Sequence, residues 1–165
     1  MRNSFTVCCC RRQLGDLQLL VSKGATVDAL DSDNRTAFYD AMIENKIHVI
    51  EYLLEKGANP NVKNNKCVTV LHFATLKGNL EICELLVSKG AIIHALDSEN
   101  RTALHLAASK GNLEICQLLV SKGAIIDALD SDNNKALFYA FPMNRIHVIE
   151  YLLEKGANPN TKNHK

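Results

Sequence analysis

Apolar and polar positions along the chain fall into blocks, and the blocks return every 33 residues. Between Leu113 and Lys122, the apolar residues Leu113, Cys116, Leu119 and Val120 lie three or four apart, near one face of a predicted helix. A shorter Ala- and Leu-rich run, Ala103–Ala108, precedes it. Thr102 stands in front of that run as an N-cap, since its hydroxyl can accept from an open N–H of the first turn. Gly111 stands behind it as a stop, because glycine takes the left-handed conformation that closes a helix. Polar stretches such as Asp97–Arg101 separate the pairs, and their Asp, Ser and Asn favour turns. Each block thus predicts two helices and a turn, with Leu119 in the core and Arg101 at a tip that tolerates Ala.

The copies are close. Leu-Leu-Val-Ser-Lys-Gly-Ala occurs at Leu19–Ala25, Leu85–Ala91 and Leu118–Ala124, and a sister version occurs at Leu53–Asn59 and Leu152–Asn158. Self-similarity at this period indicates a solenoid in which each unit buries its apolar face only against its neighbours. The phasing gives units at 31–63, 64–96, 97–129 and 130–162, after a degenerate unit at 1–30, all in a single domain spanning 1–165. A longer period overlies the first: Ile47–Asn61 is repeated without change at Ile146–Asn160, and 18–39 resembles 117–138.

Thr69-Val-Leu-His-Phe-Ala74 and Thr102-Ala-Leu-His-Leu-Ala-Ala108 resemble the Thr-Pro-Leu-His-x-Ala-Ala signature of ankyrin repeats. Gly111–Cys116 and Leu118–Ala124 resemble that family's second helix and closing loop, and the likeness runs over about 14–160. The resemblance implies an all-α ankyrin-repeat solenoid of stacked antiparallel helix pairs with β-hairpin finger loops. It also implies that His72 and His105 bond the Thr three residues earlier and nearby backbone. Ala107 and Ala108 would keep the paired helices close.

The ends depart from the pattern. In the last unit Lys135 replaces Thr, Phe138 replaces His, Phe141 replaces Ala and Asn144 replaces Gly, while Pro142 should cut the first helix short. At the front, two alignments are open. One sets Asp16 at the phase of Ile115; the other matches Gly15-Asp16-Leu17 to Gly111-Asn112-Leu113 and removes three residues from the second helix. Terminal repeats usually present a polar outer face, and Phe138 and Phe141 do not.

Net charge is +1, which gives no electrostatic case for binding nucleic acid or anionic membrane. No apolar run approaches the roughly 18 residues of a membrane span, and the N-terminus carries no long apolar segment of a secretory signal. A cytoplasmic protein is the default, with a nuclear one as the alternative. The six cysteines lack zinc-ligand spacing: Cys83 and Cys116 occupy an apolar helix phase, and Cys67 stands where the turn usually has Gly or Asn. Cys8-Cys9-Cys10 before Arg11-Arg12 reads as a packed first helix or an acylated anchor. His48 and His147 read as solvated surface. No phosphate-binding loop, nucleophile elbow or metalloprotease motif is present, so no catalytic, cofactor, metal or small-molecule site is expected.

In ankyrin-like proteins the finger tips and the ends of the first helices line a concave groove that grips other proteins. Those phases here are Leu30, Asp33, Arg35, Ile43 and Glu44, then Lys63, Lys66, Val68, Leu76 and Lys77. Leu96, Glu99, Arg101 and Lys110 follow, and then Leu129 and Asp132. Asp31, Asp97 and Asp130 are discounted as turn formers. The expectation is a non-catalytic protein–protein interaction module or scaffold with a protein partner. Two alternatives stand beside it: a membrane-tethered adaptor held by acylated Cys8–Cys10, and the substrate-recognition arm of a larger ligase or kinase.

Overall fold

A computed structural model describes residues 14–30 and 36–160, and their regular structure is helical. In chain order these helices are α1 (Leu14–Ser22), α2 (Ala37–Ile43), α3 (Ile47–Glu55), α4 (Val70–Lys77) and α5 (Leu80–Ser88). They continue as α6 (Ala103–Lys110), α7 (Leu113–Ser121), α8 (Ala136–Ala140) and α9 (Ile146–Glu154). Within each full unit the first helix packs on the second across a short link, so the two run back along each other. The first helices α2, α4, α6 and α8 stack in one row, and the second helices α5, α7 and α9 stack behind them. This is the solenoid of helix pairs expected from the period.

The helix starts follow from side-chain capping. Thr69 Oγ1 accepts from the His72 N–H at 3.3 Å, and the Thr69 N–H donates to His72 Nδ1 at 3.2 Å, so each residue satisfies the other's open group. In the unit before, Thr36 Oγ1 accepts from the Tyr39 N–H at 3.2 Å. The helix stops follow from left-handed residues. Gly111 has φ +74°, a left-handed conformation that favours glycine, and a Cβ there would meet the Arg145 side chain. Asn45 and Asn144 hold positive φ at the same phase.

Ala107, Ala108, Cys116 and Leu119 are buried, with Leu104 and Ile115 beside them. Ile115 lies outside the predicted stripe, whereas Leu113 and Val120 inside it are only half-buried. A second helix in a stack meets a neighbour on each side, so its buried surface is wider than a single three-and-four stripe. Helix α7 ends at Ser121 rather than Lys122, whose N–H still bonds the Leu118 carbonyl at 3.1 Å.

The ends resolve as follows. Helix α1 is already helical at Leu14–Asp16, the first described residues, which supports the alignment without a deletion. Leu17 takes the buried place of Cys116, and Asp16 is exposed where Ile115 is buried. Helix α8 has five residues against eight in α6, because Pro142 cannot continue it.

Candidate functional site

The fingers are built by one acidic or amide side chain each. Asp97 Oδ1 accepts from the N–H groups of Glu99 and Arg101, both at 2.9 Å, while its own N–H bonds the Arg101 carbonyl at 3.1 Å. Asn64 and Asp130 close the next fingers in the same way, on Lys66 and Val68, and on Asp132 and Asn134. These are turn formers, as expected. The third turn residue is left-handed in every described finger: Cys67 (φ 55°), Asn100 (φ 56°) and Asn133 (φ 60°). Cys67 therefore does stand in an Asn or Gly position. Hairpin pairing is sparse among the described residues, with isolated antiparallel bridges Leu30–Thr36 and Lys63–Thr69.

Adjacent fingers are tied together. The Ser98 N–H donates to the Lys66 carbonyl and the Ser131 N–H to the Glu99 carbonyl, both at 2.9 Å. His72 Nε2 donates to the Arg101 carbonyl at 3.0 Å, and His105 Nε2 donates to the Ala128 and Asn134 carbonyls at 3.1 and 3.3 Å. Their Nδ1 atoms accept from the Thr69 and Thr102 N–H groups, so both rings are neutral with the proton on Nε2. Burial is the main cause that holds both pKa values below the ordinary 6.5. The structural role implied for these histidines is thus seen atom by atom.

Unit 31–63, which lacks that His, makes the tie through a tyrosine: Tyr39 OH accepts from Asn64 Nδ2 at 3.1 Å in the next finger. In the last unit Tyr139 OH donates to Asp130 Oδ2 of its own finger at 2.5 Å, and its ring meets His105 edge to face at 5.7 Å. Lys135 gives no side-chain cap; its Nζ reaches Asp127 Oδ2 at 2.9 Å. Sequence reasoning missed both tyrosines, although Tyr39 stands at the phase of His72 and His105, three residues after Thr36, and that phase was the signal that could have found it.

The groove-phase residues divide. Ile43, Glu44, Lys63, Lys66, Leu76, Lys77, Leu96, Glu99, Lys110, Leu129 and Asp132 are exposed, as is Leu30, while Val68 is half-buried. Lys77 Nζ lies over the Phe73 ring, 5.4 Å from its centre. Arg101 departs from expectation. Its Nε and Nη2 hold the buried Asp97 carboxylate at 2.9 and 2.8 Å, and Nη1 holds Glu99 at 2.9 Å. Burial alone would raise the Asp97 pKa, but the Arg101 and Glu99 N–H groups and the guanidinium outweigh it, and the value is lowered. Arg101 is a finger brace as much as a surface residue, so Ala there is expected to cost stability rather than to be neutral. Asp33 and Arg35 lie outside the described residues, as do Asp31 and Cys8–Cys10.

The remaining candidates fall as residue type suggested. Cys83 and Cys116 are buried thiols whose pKa values burial pushes up to about 11 and about 12, far from a reactive thiolate. His48 and His147 are exposed beside Glu51 and Glu150. Among the described residues, no group of His, Cys, Asp and Glu is arranged to hold a metal ion, and no helix is long and apolar enough to cross a membrane.

Comparison with curated proteins returns no match. The family model for ankyrin repeats (3 copies) matches residues 5–97 and again 71–163, nearly the whole chain. Ankyrin repeats are in general protein–protein interaction modules. With the capped helix pairs, the left-handed stops and the His ties between fingers already in view, the chain belongs to the ankyrin repeat family.

Proposed function

We propose that the chain is a non-catalytic binding module that holds a partner protein along its finger tips and the ends of its first helices. The observation that carries this reading is a split by phase. The Thr, His and Ala positions of the first helices are buried and bonded or packed, whereas most of the groove phases are exposed and include large apolar side chains. Leu30, Leu96 and Leu129 share one phase, and Ile43 and Leu76 share another. Apolar anchors within a charged border suit a protein interface, where a few residues carry most of the energy. Lys63, Lys66, Lys77 and Lys110 make the middle units the more basic part of this strip, which favours a partner segment with acidic residues there.

The test is a joint change of Lys66, Leu76, Leu96 and Lys110 to Ala. It should weaken capture of the partner at least about tenfold, in line with the loss of interface anchors, with an unchanged circular dichroism spectrum. Changing His48 and His147 to Ala, on the second helices, should leave capture intact. Loss of capture in the His pair with retention in the groove set would move the binding face to the other side of the stack.

A further inference from the structure

One finger differs in charge from the rest. Residues 31–34, 97–100 and 130–133 read Asp-Ser-Asp-Asn, Asp-Ser-Glu-Asn and Asp-Ser-Asp-Asn, whereas 64–67 reads Asn-Asn-Lys-Cys. Asn64 closes its turn with an amide where Asp97 and Asp130 use a carboxylate. The residue before the turn changes too: Lys63 stands at the phase of Leu30, Leu96 and Leu129. This finger carries two lysines and no carboxylate. Its turn is held by bonds from backbone N–H groups to Asn64, so neither lysine side chain is needed to shape it.

The ends of the neighbouring first helices are basic as well. Lys77 and Lys110 share a phase with Glu44 and Met143, and Leu76 is exposed beside Lys77. Other cations of the finger region are paired within the molecule, Arg101 with Asp97 and Glu99, and Lys135 with Asp127. Lys63, Lys66, Lys77 and Lys110 are exposed, and among the described residues none of them forms an ion pair. Lys77 leans on the Phe73 ring, which positions the ammonium without neutralising it. Unpaired cations around an apolar side chain suit an anionic partner.

Their spacing says more. Helices α4 and α6 pack side by side, and packed helix axes lie about 8–10 Å apart, which sets the step from Lys77 to Lys110. A polyproline II chain turns once in three residues and rises about 9 Å in doing so. A strand brings same-face residues back every about 7 Å, a poorer match. We propose that the partner segment on this strip is acidic and in polyproline II form, with carboxylates three residues apart against Lys77 and Lys110. Lys66 reaches it from the finger, and an apolar side chain sits on Leu76. The proposal rests on the reading of finger tips and first-helix ends as the binding strip, and adds the chemistry and register of what lies there. Fingers 31–34 and 130–133 hold two carboxylates each and repel a longer acidic run, so the acidic part is confined to the middle of the strip.

Fluorescence anisotropy of a rhodamine-labelled peptide of three Glu-Pro-Leu triplets, titrated with the full chain, tests this. The peptide should bind, and more weakly as salt is raised. A peptide of three Lys-Pro-Leu triplets should not bind, and one of the same composition with its Glu residues consecutive should bind less well. Lys66→Glu with Lys77→Glu should weaken binding at least about tenfold. Lys89→Glu with Lys122→Glu makes the same change in net charge at exposed lysines that close α5 and α7, and should leave binding unchanged. All four lysines are exposed, so circular dichroism should stay unchanged in both variants. Equal binding of the Glu and Lys triplets, equal binding of the two Glu peptides, or equal losses in the two variants would overturn the proposal. Should the wild-type chain ignore the Glu triplets while the joint change of Lys66, Leu76, Leu96 and Lys110 still weakens capture of the partner, this proposal fails and the strip stands. Capture retained in that joint variant would overturn both.

Discussion

Arg101 shows how one side chain can serve two ends. Its guanidinium is half-exposed at a groove phase, and it neutralises the nearly buried carboxylate of Asp97, the residue that closes the finger. Removing one partner of a buried pair leaves the other without its bonds, which costs more than the pair contributes. Arg101→Ala should therefore lower unfolding free energy by about 1–3 kcal/mol in urea melts, and a value near zero would show that water replaces the guanidinium without loss. Cys67 holds a left-handed conformation that costs a side-chain-bearing residue about 1–2 kcal/mol, where its counterparts are Asn100 and Asn133.

At the scale of the element, each unit's stability rests on its cap and on its tie to the next finger. His72 and His105 do both, and only as neutral rings, because Nδ1 accepts from a backbone N–H. Their folded pKa values lie below the unfolded 6.5, so below that pH the unfolded chain binds more protons. Their contribution is fully present above pH 6.5 and declines as pH falls through 6.5 toward the folded values. Asp97 and Asp130 are held below the ordinary 3.8, so their contribution declines only below that point. Denaturation midpoints should fall in two stages on acidification, and His105→Gln should flatten the first. Unit 130–162 has neither the His nor a side-chain cap on α8. Fraying from the end of a solenoid costs only one unit and one junction. Amide exchange over 135–145 should therefore be much faster than over 102–120, and equal protection would point to a cap supplied by α9.

For the whole molecule, the decisive comparison is between identical helices in different places. Leu54→Ala empties a buried site and should cost about 2–5 kcal/mol. Leu153→Ala, in the same local sequence, removes a partly exposed side chain and should cost well under half as much. Equal costs in parallel denaturant melts would mean that the α9 face at Leu153 is covered in solution.

What the sequence determined by itself was the repeat: its period, the helix pairs, the Thr and Gly punctuation and the turn-forming Asp97 and Asp130. These are local properties, set by capping, left-handed backbone and apolar spacing within a few residues, and they recur whenever the local sequence recurs. The proposed binding strip was legible only as phases, since it is what remains when packing positions are removed. Tertiary structure decided the rest. It set the width of the buried stripe around Ile115 and gave Tyr39 its bond to the next finger. It also gave one identical helix a buried face at α3 and an open one at α9. Burial belongs to a residue's neighbours rather than to its own segment, and in a stack those neighbours lie a whole repeat away.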